Sequence, residues 1–175
     1  NVLGQTPPED DYDVYNNWEP ENKVESVGVS LDVKHDFSAV GLRSITAWRD
    51  IDGFWTLDQD LSALPIINAD VNQTGEMFSQ EFHVTSAEDS TLQWLVGAFY
   101  FEYDAGYDPL ATSGLLFSSP PPLGLGVGPG FTFDNLSEAQ SVSVCGLATY
   151  PLLESTNRTL GLRQTGAEAD GHAES

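Results

Sequence analysis

The stretch Glu76 to Asp104, EMFSQEFHVTSAEDSTLQWLVGAFYFEYD, constrains the fold more than any other part of the chain. Phe78, Gln80, Phe82 and Val84 alternate with Met77, Ser79, Glu81, His83 and Thr85, the period-2 pattern of a strand with one greasier face. Six residues, Ser86 to Thr91, are rich in turn formers and acids, and the chain then resumes from Leu92 to Asp104. Trp94, Phe99, Tyr100, Phe101 and Tyr103 supply the aromatic content that strands favour. The arms are about ten and thirteen residues long, against ~5–6 for a typical strand of a globular domain and ~9–11 for a tilted strand crossing a bilayer. The stretch reads as one hairpin of membrane-crossing size.

Similar patterns flank it. Between Val24 and His35, Val27, Val29, Leu31 and Val33 alternate with Ser26, Gly28, Ser30, Asp32 and Lys34, a strand with one wet face. A tight turn near Asp36 leads into a second arm, Ser38 to Ile51, where Val40, Leu42 and Trp48 share one face. Arg43 and Arg49 share the other with Gly41 and Ala47, Ile45 being its apolar exception. Farther on, Leu136 to Tyr150 alternates again, Pro151 to Ser155 makes a short turn, and Thr156 to about Gln164 is the returning arm.

Two stretches break the alternation and are expected to be long loops. Residues 52–75 carry Gly53, Pro65, Asn68, Asp70, Asn72 and Gly75, with Phe54, Trp55 and Leu57 just past a strand end, where interfacial aromatics would lie. Residues 105–135 carry Gly114, three prolines at 120–122, and Gly124, Gly126, Gly128 and Gly130. This spacing is no phosphate loop, because no Lys-Ser/Thr and no helix follow and Pro129 removes a backbone donor. Residues 1–23, with Glu9, Asp10, Asp11 and Asp13, read as an acidic arm or loop, and residues 165–175 as a flexible tail. The chain opens at Asn1 without an initiator Met or targeting sequence, as a processed chain or a piece of a larger one would. Connections therefore run short, long, short, long, short, the order in which outer-membrane barrels alternate turns and loops. The expected class is all-β: antiparallel hairpins, about six long strands, with no helix of persuasive length.

Charge narrows the partners. Lys+Arg is 6 and Asp+Glu is 27, for a net charge of −21, and the basic residues are scattered singly. Such a chain repels nucleic acid and anionic headgroups. Cys145 is the single cysteine, so it can form no intrachain disulfide, and it reads as a small packed residue. No apolar run is long enough for a transmembrane helix, which leaves strands open as a means of crossing.

No catalytic constellation, metal site or cofactor motif stands out. His35, His83 and His172 lack ligand spacing, Cys145 has no histidine in an obvious partner position, and no GxSxG elbow occurs. With 27 acids, a pair at glycosidase separation carries no weight. Asn72, Asn135 and Asn157 each open a glycosylation acceptor triplet, a short motif with a high chance rate.

The hairpin phrase FSQEFHVTS, acidic turn, LQWLVGAFYFEYD resembles a recurring hairpin in the barrels of TonB-dependent outer-membrane receptors. Ala39 to Asp50 (AVGLRSITAWRD) and Gly146 to Arg163 (GLATYPLLESTNRTLGLR) are similar to two further wall phrases of that family, so the resemblance spans roughly residues 24–164 as three hairpins. It covers neither the plug nor the TonB-contacting segment, and six strands are about a quarter of a ~22-stranded barrel. The resemblance implies that the parent protein imports a siderophore or another scarce small-molecule nutrient across the bacterial outer membrane. Its implied partners are outer-membrane lipid and the TonB complex. Ligand contacts would come from residues 52–75, 105–135, or wet-face residues such as Arg43 and Arg49; no individual ligand-binding residue is named by it.

The competing expectation is a soluble, secreted β-sandwich acting as a carbohydrate-binding module or small hydrolase, with Trp55, Tyr107 and Phe131 stacking on sugar and acids supplying catalysis. Two short-stranded sheets sealed over a dry interior, with no greasy exterior band, would decide against the barrel reading, and a monodisperse monomer with cooperative melting would favour the sandwich.

Overall fold

A computed structural model describes residue 10, residues 13–153 and residues 156–174. Six strands form a single antiparallel sheet in sequence order: β1 (Asn22–Asp36), β2 (Val40–Asp58), β3 (Asn68–Ser86), β4 (Gln93–Ser113), β5 (Gly130–Leu153) and β6 (Thr156–Glu174). The one helix among the described residues, α1 (Leu115–Ser118), is a single turn between β4 and β5. No helix among the described residues is long and apolar enough to cross a membrane.

The all-β class and the hairpin order stand, but the strands are longer than expected. Residues 52–75 are not one loop: β2 continues to Asp58, β3 starts at Asn68, and only 59–67 connect them. Residues 105–135 shrink likewise to a connection of 114–129. Gly53, Asn72 and Gly75, which interrupt the side-chain pattern, sit inside backbone ladders, with Gly53 opposite Gln73 and Gly75 opposite Ile51. Gly53 and Gly75 are paired on both sides and Asn72, at a β3–β4 bulge, on the β2 side, so main-chain hydrogen bonds form whatever the side chain and override local propensity. The supposed tail is also a strand, since β6 stays in register with β5 from Arg163 opposite Cys145 to Glu174 opposite Asp134. Residues 1–9, 11, 12, 154, 155 and 175, with Glu9 and Asp11 of the acidic arm and the tip of the last turn, lie outside the described residues.

Short and long connections still alternate. Residues 37–39 close with Phe37 N donating to Val40 O at 2.8 Å. Residues 87–92 are closed by the Gln93 side chain, whose amide nitrogen, Nε2, donates to the carbonyls of Ala87, Glu88 and Ser90. The long connections meet at the opposite end, where Leu115 N and Leu116 N donate to the carbonyls of Pro65 and Ile66 at 2.8 and 3.0 Å. Gly114 is required there: its φ is 133°, and a Cβ would come within 2.3 Å of Ile66 O.

No second layer covers the sheet. Among the described residues the buried apolar side chains are Ala69, Val71 and Phe117, all at the long-connection end. The accessible surface is 12550 Å², whereas a compact monomer of 19.0 kDa would expose about 8,400 Å². The two-sheet sandwich is thereby corrected: every strand belongs to one sheet, and both of its faces are open.

Candidate functional site

Strand alternation and the cross-strand register together assign every strand residue to one of two faces. One face carries Val27, Val29, Leu31 and Val33 of β1, Leu42 and Trp48 of β2, and Phe78, Phe82 and Val84 of β3. It continues through Trp94, Val96 and Tyr100 of β4, Val142 and Val144 of β5, and Leu160 and Leu162 of β6. Most of these side chains are left uncovered: Val96 is 52 % exposed and Leu162 76 %. The amide of Gln80, the polar residue in their midst, is consumed within the sheet. Its Nε2 donates to Ser44 Oγ and Ile45 O at 3.0 and 3.1 Å, and its Oε1 accepts from Thr46 Oγ1.

Beyond the apolar zone, toward the long connections, lies a straight register row of carboxylates, two positions past the last apolar residue on β2 and β3 and eight past it on β6. Asp50, Glu76, Asp104, Glu138 and Asp170 lie directly opposite one another on five successive strands. Aromatic side chains sit at the boundary and turn their polar atoms to these acids: Trp48 Nε1 donates to Glu76 Oε1 at 2.7 Å, and Tyr100 Oη to Glu102 Oε2 at 2.9 Å.

The boundary is oblique. The last apolar positions before the acids are Val27, Trp48, Phe78, Tyr100, Val142 and Leu162 on β1 to β6. Traced through the register, Leu162 lies level with His35 of β1 and not with Val27. That offset of about eight residues over five strand spacings is roughly 27 Å along the strands for 24 Å across them, an angle near 45°.

The opposite face is mixed: beside its polar residues it carries Ile45, Met77, Leu95, Phe99, Phe101, Tyr103 and Leu147, with ring contacts running from Phe99 through Phe101 to Tyr103. Arg43 pairs with Asp32 in bidentate fashion, with Nε to Oδ1 at 3.0 Å and Nη2 to Oδ2 at 2.6 Å. Arg49 has no polar partner among the described residues and stands beside a recess of about 420 Å³ lined by Ser26, Gly28, Ser30, Ala47 and Ser79. The two arginines that sequence periodicity puts together do share this face, but Asp32 occupies only Arg43.

His83 and Cys145 also lie here, in one register row on either side of Gly97. Sixty-two positions apart in sequence, they gave no motif; only the β3–β4–β5 register brings them together. His83 Nε2 is 3.4 Å from Glu81 Oε2. His35 packs edge-on against Phe37 near the first turn, and the His172 side chain lies outside the described residues. No group of three His, Cys, Asp or Glu side chains able to hold a metal occurs among the described residues. Trp55, Tyr107 and Phe131 fall on β2, β4 and β5 and make no ring contact with one another; Phe131 instead meets Phe117 edge to face, at 5.4 Å.

A third cluster, at the long-connection end, has no sequence signature. Asp58, 2 % exposed, accepts hydrogen bonds from Asn17 N and Nδ2, both at 3.0 Å, and from Asp60 N and Leu61 N at 3.1 and 3.0 Å. Asn17 Nδ2 also donates to the carbonyls of Ser62 and Leu64. This knot ties the segment before β1 to the 59–67 connection, a structural rather than a chemical role. Compared with protein-family models and with curated proteins, the sequence matches none.

Proposed function

We propose that this chain is wall from a TonB-dependent outer-membrane receptor whose parent protein imports a siderophore or another scarce nutrient. The observation that carries the reading is the oblique apolar boundary. Strands of outer-membrane barrels tilt by ~35–45°, so the membrane plane must cross their register rows at that angle. An edge drawn by the sequence at about 45° is what tilted wall strands need, whereas a soluble sheet has no reason to shear its apolar zone.

Three further features support it. One face carries aliphatic side chains from all six strands and leaves most of them exposed, the inverse of a soluble domain's buried core. Trp48 and Tyr100 stand where an interfacial aromatic girdle would lie, with Trp94 and Tyr150 toward the short turns. The strands run from 15 residues in β1 to 24 in β5, more than the ~9–11 that a tilted strand needs to cross a bilayer. In this reading the short turns are periplasmic, and residues 59–67 and 114–129 are extracellular and contribute to ligand capture. Arg49, the uncommitted wet-face cation, is the wall residue best placed to meet an anionic group on the cargo.

Single-tryptophan variants of the chain, refolded with lipid vesicles carrying brominated acyl chains, test the placement. Trp94 and Trp48, on the apolar face, are expected to be quenched severalfold more than Trp55, on the opposite face beyond the acids. Equal quenching of all three, or a monodisperse protein in plain buffer that ignores vesicles, would sink the reading.

A further inference from the structure

Arg49 is the one arginine of its face that the sheet leaves unused. Between the short turns and the carboxylate row, that face carries four cations, Lys34, Arg43, Arg49 and Arg163, against three carboxylates, Asp32, Asp36 and Glu81, in a chain of net charge −21. Each of the three acids is already partnered: Asp32 holds Arg43 at 2.6 Å, Asp36 lies 3.4 Å from Lys34 Nζ, and Glu81 lies 3.4 Å from His83 Nε2. Arg163 donates through Nε to Thr165 Oγ1 at 3.2 Å. Asp32 and Glu81 are level with Ile45, four positions and about 13 Å along the strand from Arg49. Six of the eight positions around Arg49 on its face are small: Ser26, Gly28, Ser30, Ala47, Gly75 and Ser79. The side chain lies toward β1, where a Cβ placed on Gly28 would be 3.6 Å from Nε. The hydroxyls of Ser26, Ser30 and Ser79 line the recess beside it and make no hydrogen bond among the described residues. On the other side the register row runs from Arg49 to Met77 of β3 and Tyr103 of β4, about 10 Å from first to last. Tyr103 ends a ladder of rings, with Phe101 at 6.3 Å and Phe99 a further 6.3 Å on, the planes inclined by 24° and 13°.

We infer that this row binds an aryl carboxylate, with the carboxylate on Arg49 and the ring over Met77 toward the β4 ladder. A guanidinium fork matches a carboxylate bidentately, and the Arg43–Asp32 pair shows the same face making that match within the chain. The three free hydroxyls add donors around the oxygens, and the small residues leave room for them. A guanidinium offers no acceptor, so the recess has nothing with which to hold a cation. One uncommitted positive charge balances one negative charge, which selects a monoanion over a dianion such as phosphate or sulfate. The thioether and the aromatic rings give a flat apolar body the contacts that sulfur and ring faces favour.

As a statement about cargo the inference rests on the transport reading; as a statement about binding it rests on the β1–β4 register alone. The quenching experiment reads lipid contact at the apolar face, so either result can fail while the other holds. The full chain, labelled with nitrogen-15 arginine and refolded in nonionic detergent micelles, is titrated with 4-fluorobenzoate at constant pH and ionic strength. The Nε–Hε signal of Arg49 is expected to shift and saturate at millimolar probe, while those of Arg43, Arg158 and Arg163 hold still. Fluorine NMR of the probe then ranks competitors and variants. Acetate, a head without a ring, and inorganic phosphate are each expected to bind about fivefold or more weakly than benzoate. Arg49→Lys, which keeps the charge and loses the fork, is expected to weaken binding about tenfold. Ala47→Leu, which fills the recess and keeps every donor, and Phe101→Ala, which removes a rung of the ladder, are each expected to weaken it severalfold. Arg163→Lys, elsewhere on the same face, is expected to change nothing. A shift that grows linearly and alike in all four arginines, phosphate binding tighter than benzoate, or undiminished affinity in Arg49→Lys, Ala47→Leu or Phe101→Ala overturns the site.

Discussion

At the scale of single residues, Asp58 and Asn17 show how few groups organise one end of the sheet. The carboxylate is nearly dry, and four N–H donors surround it. A carboxylate in such a position serves as a fixed acceptor for loop amides that would otherwise be unpaired. Asn17→Ala removes the donor to Asp58 Oδ2, Ser62 O and Leu64 O and leaves their oxygens short of partners. The expected loss is about 1–3 kcal/mol, confined to this end. Hydrogen exchange should report it at the Thr56 amide, which donates to Glu21 O at 2.9 Å and depends on the same tethered segment. Unchanged protection there would mean that the segment is held by β1 pairing alone.

At the scale of elements, the carboxylate row and the apolar band make opposite demands on the same strands. Like charges directly opposite each other destabilise a sheet by about 0.2–1 kcal/mol per pair, and Asp104 has Glu76 on one side and Glu138 on the other. Asp104→Asn is therefore expected to stabilise the sheet by up to about 2 kcal/mol at low ionic strength. The gain should fade in 1 M salt, where the screening length falls to ~3 Å. Denaturant titrations at the two salt concentrations check both halves of this. In the apolar band the proposed lipid contact makes the two faces unequal. Val144→Lys, on the exposed apolar side, is expected to cost about 2–4 kcal/mol in vesicles, against about 1 kcal/mol or less for Ser141→Lys on the other face. Equal costs in vesicle unfolding experiments would contradict a lipid-facing band.

At the scale of the whole molecule, the chain is one layer with two free edges and about half again the surface of a compact protein of its mass. Edges of this length invite pairing with further strands. Closure of the sheet into a cylinder would satisfy β1 and β6, and the apolar face would then meet lipid while the face with Arg43, Arg49, His83 and Cys145 lined the interior. The net charge of −21 fits this geometry, since the acids gather beyond the apolar zone rather than within it.

Period-2 patterning in Glu76–Asp104 and Val24–Ile51 was enough to determine strand type, hairpin pairing and the division of each strand into a greasy and a wet side, because each is a local consequence of backbone geometry. Strand length was not legible, since Gly53, Asn72, Gly75 and the Gly-rich residues beyond Gln164 lose the side-chain signal while keeping the main-chain ladder. Nor was the candidate site: the row of acids and the meeting of Cys145 with His83 depend on how residues dozens of positions apart fall into register. Alternation within a strand carries no information about which residue of another strand will stand beside it. That choice was made by the sheet, through the lengths of its turns and the summed pairing of whole strands.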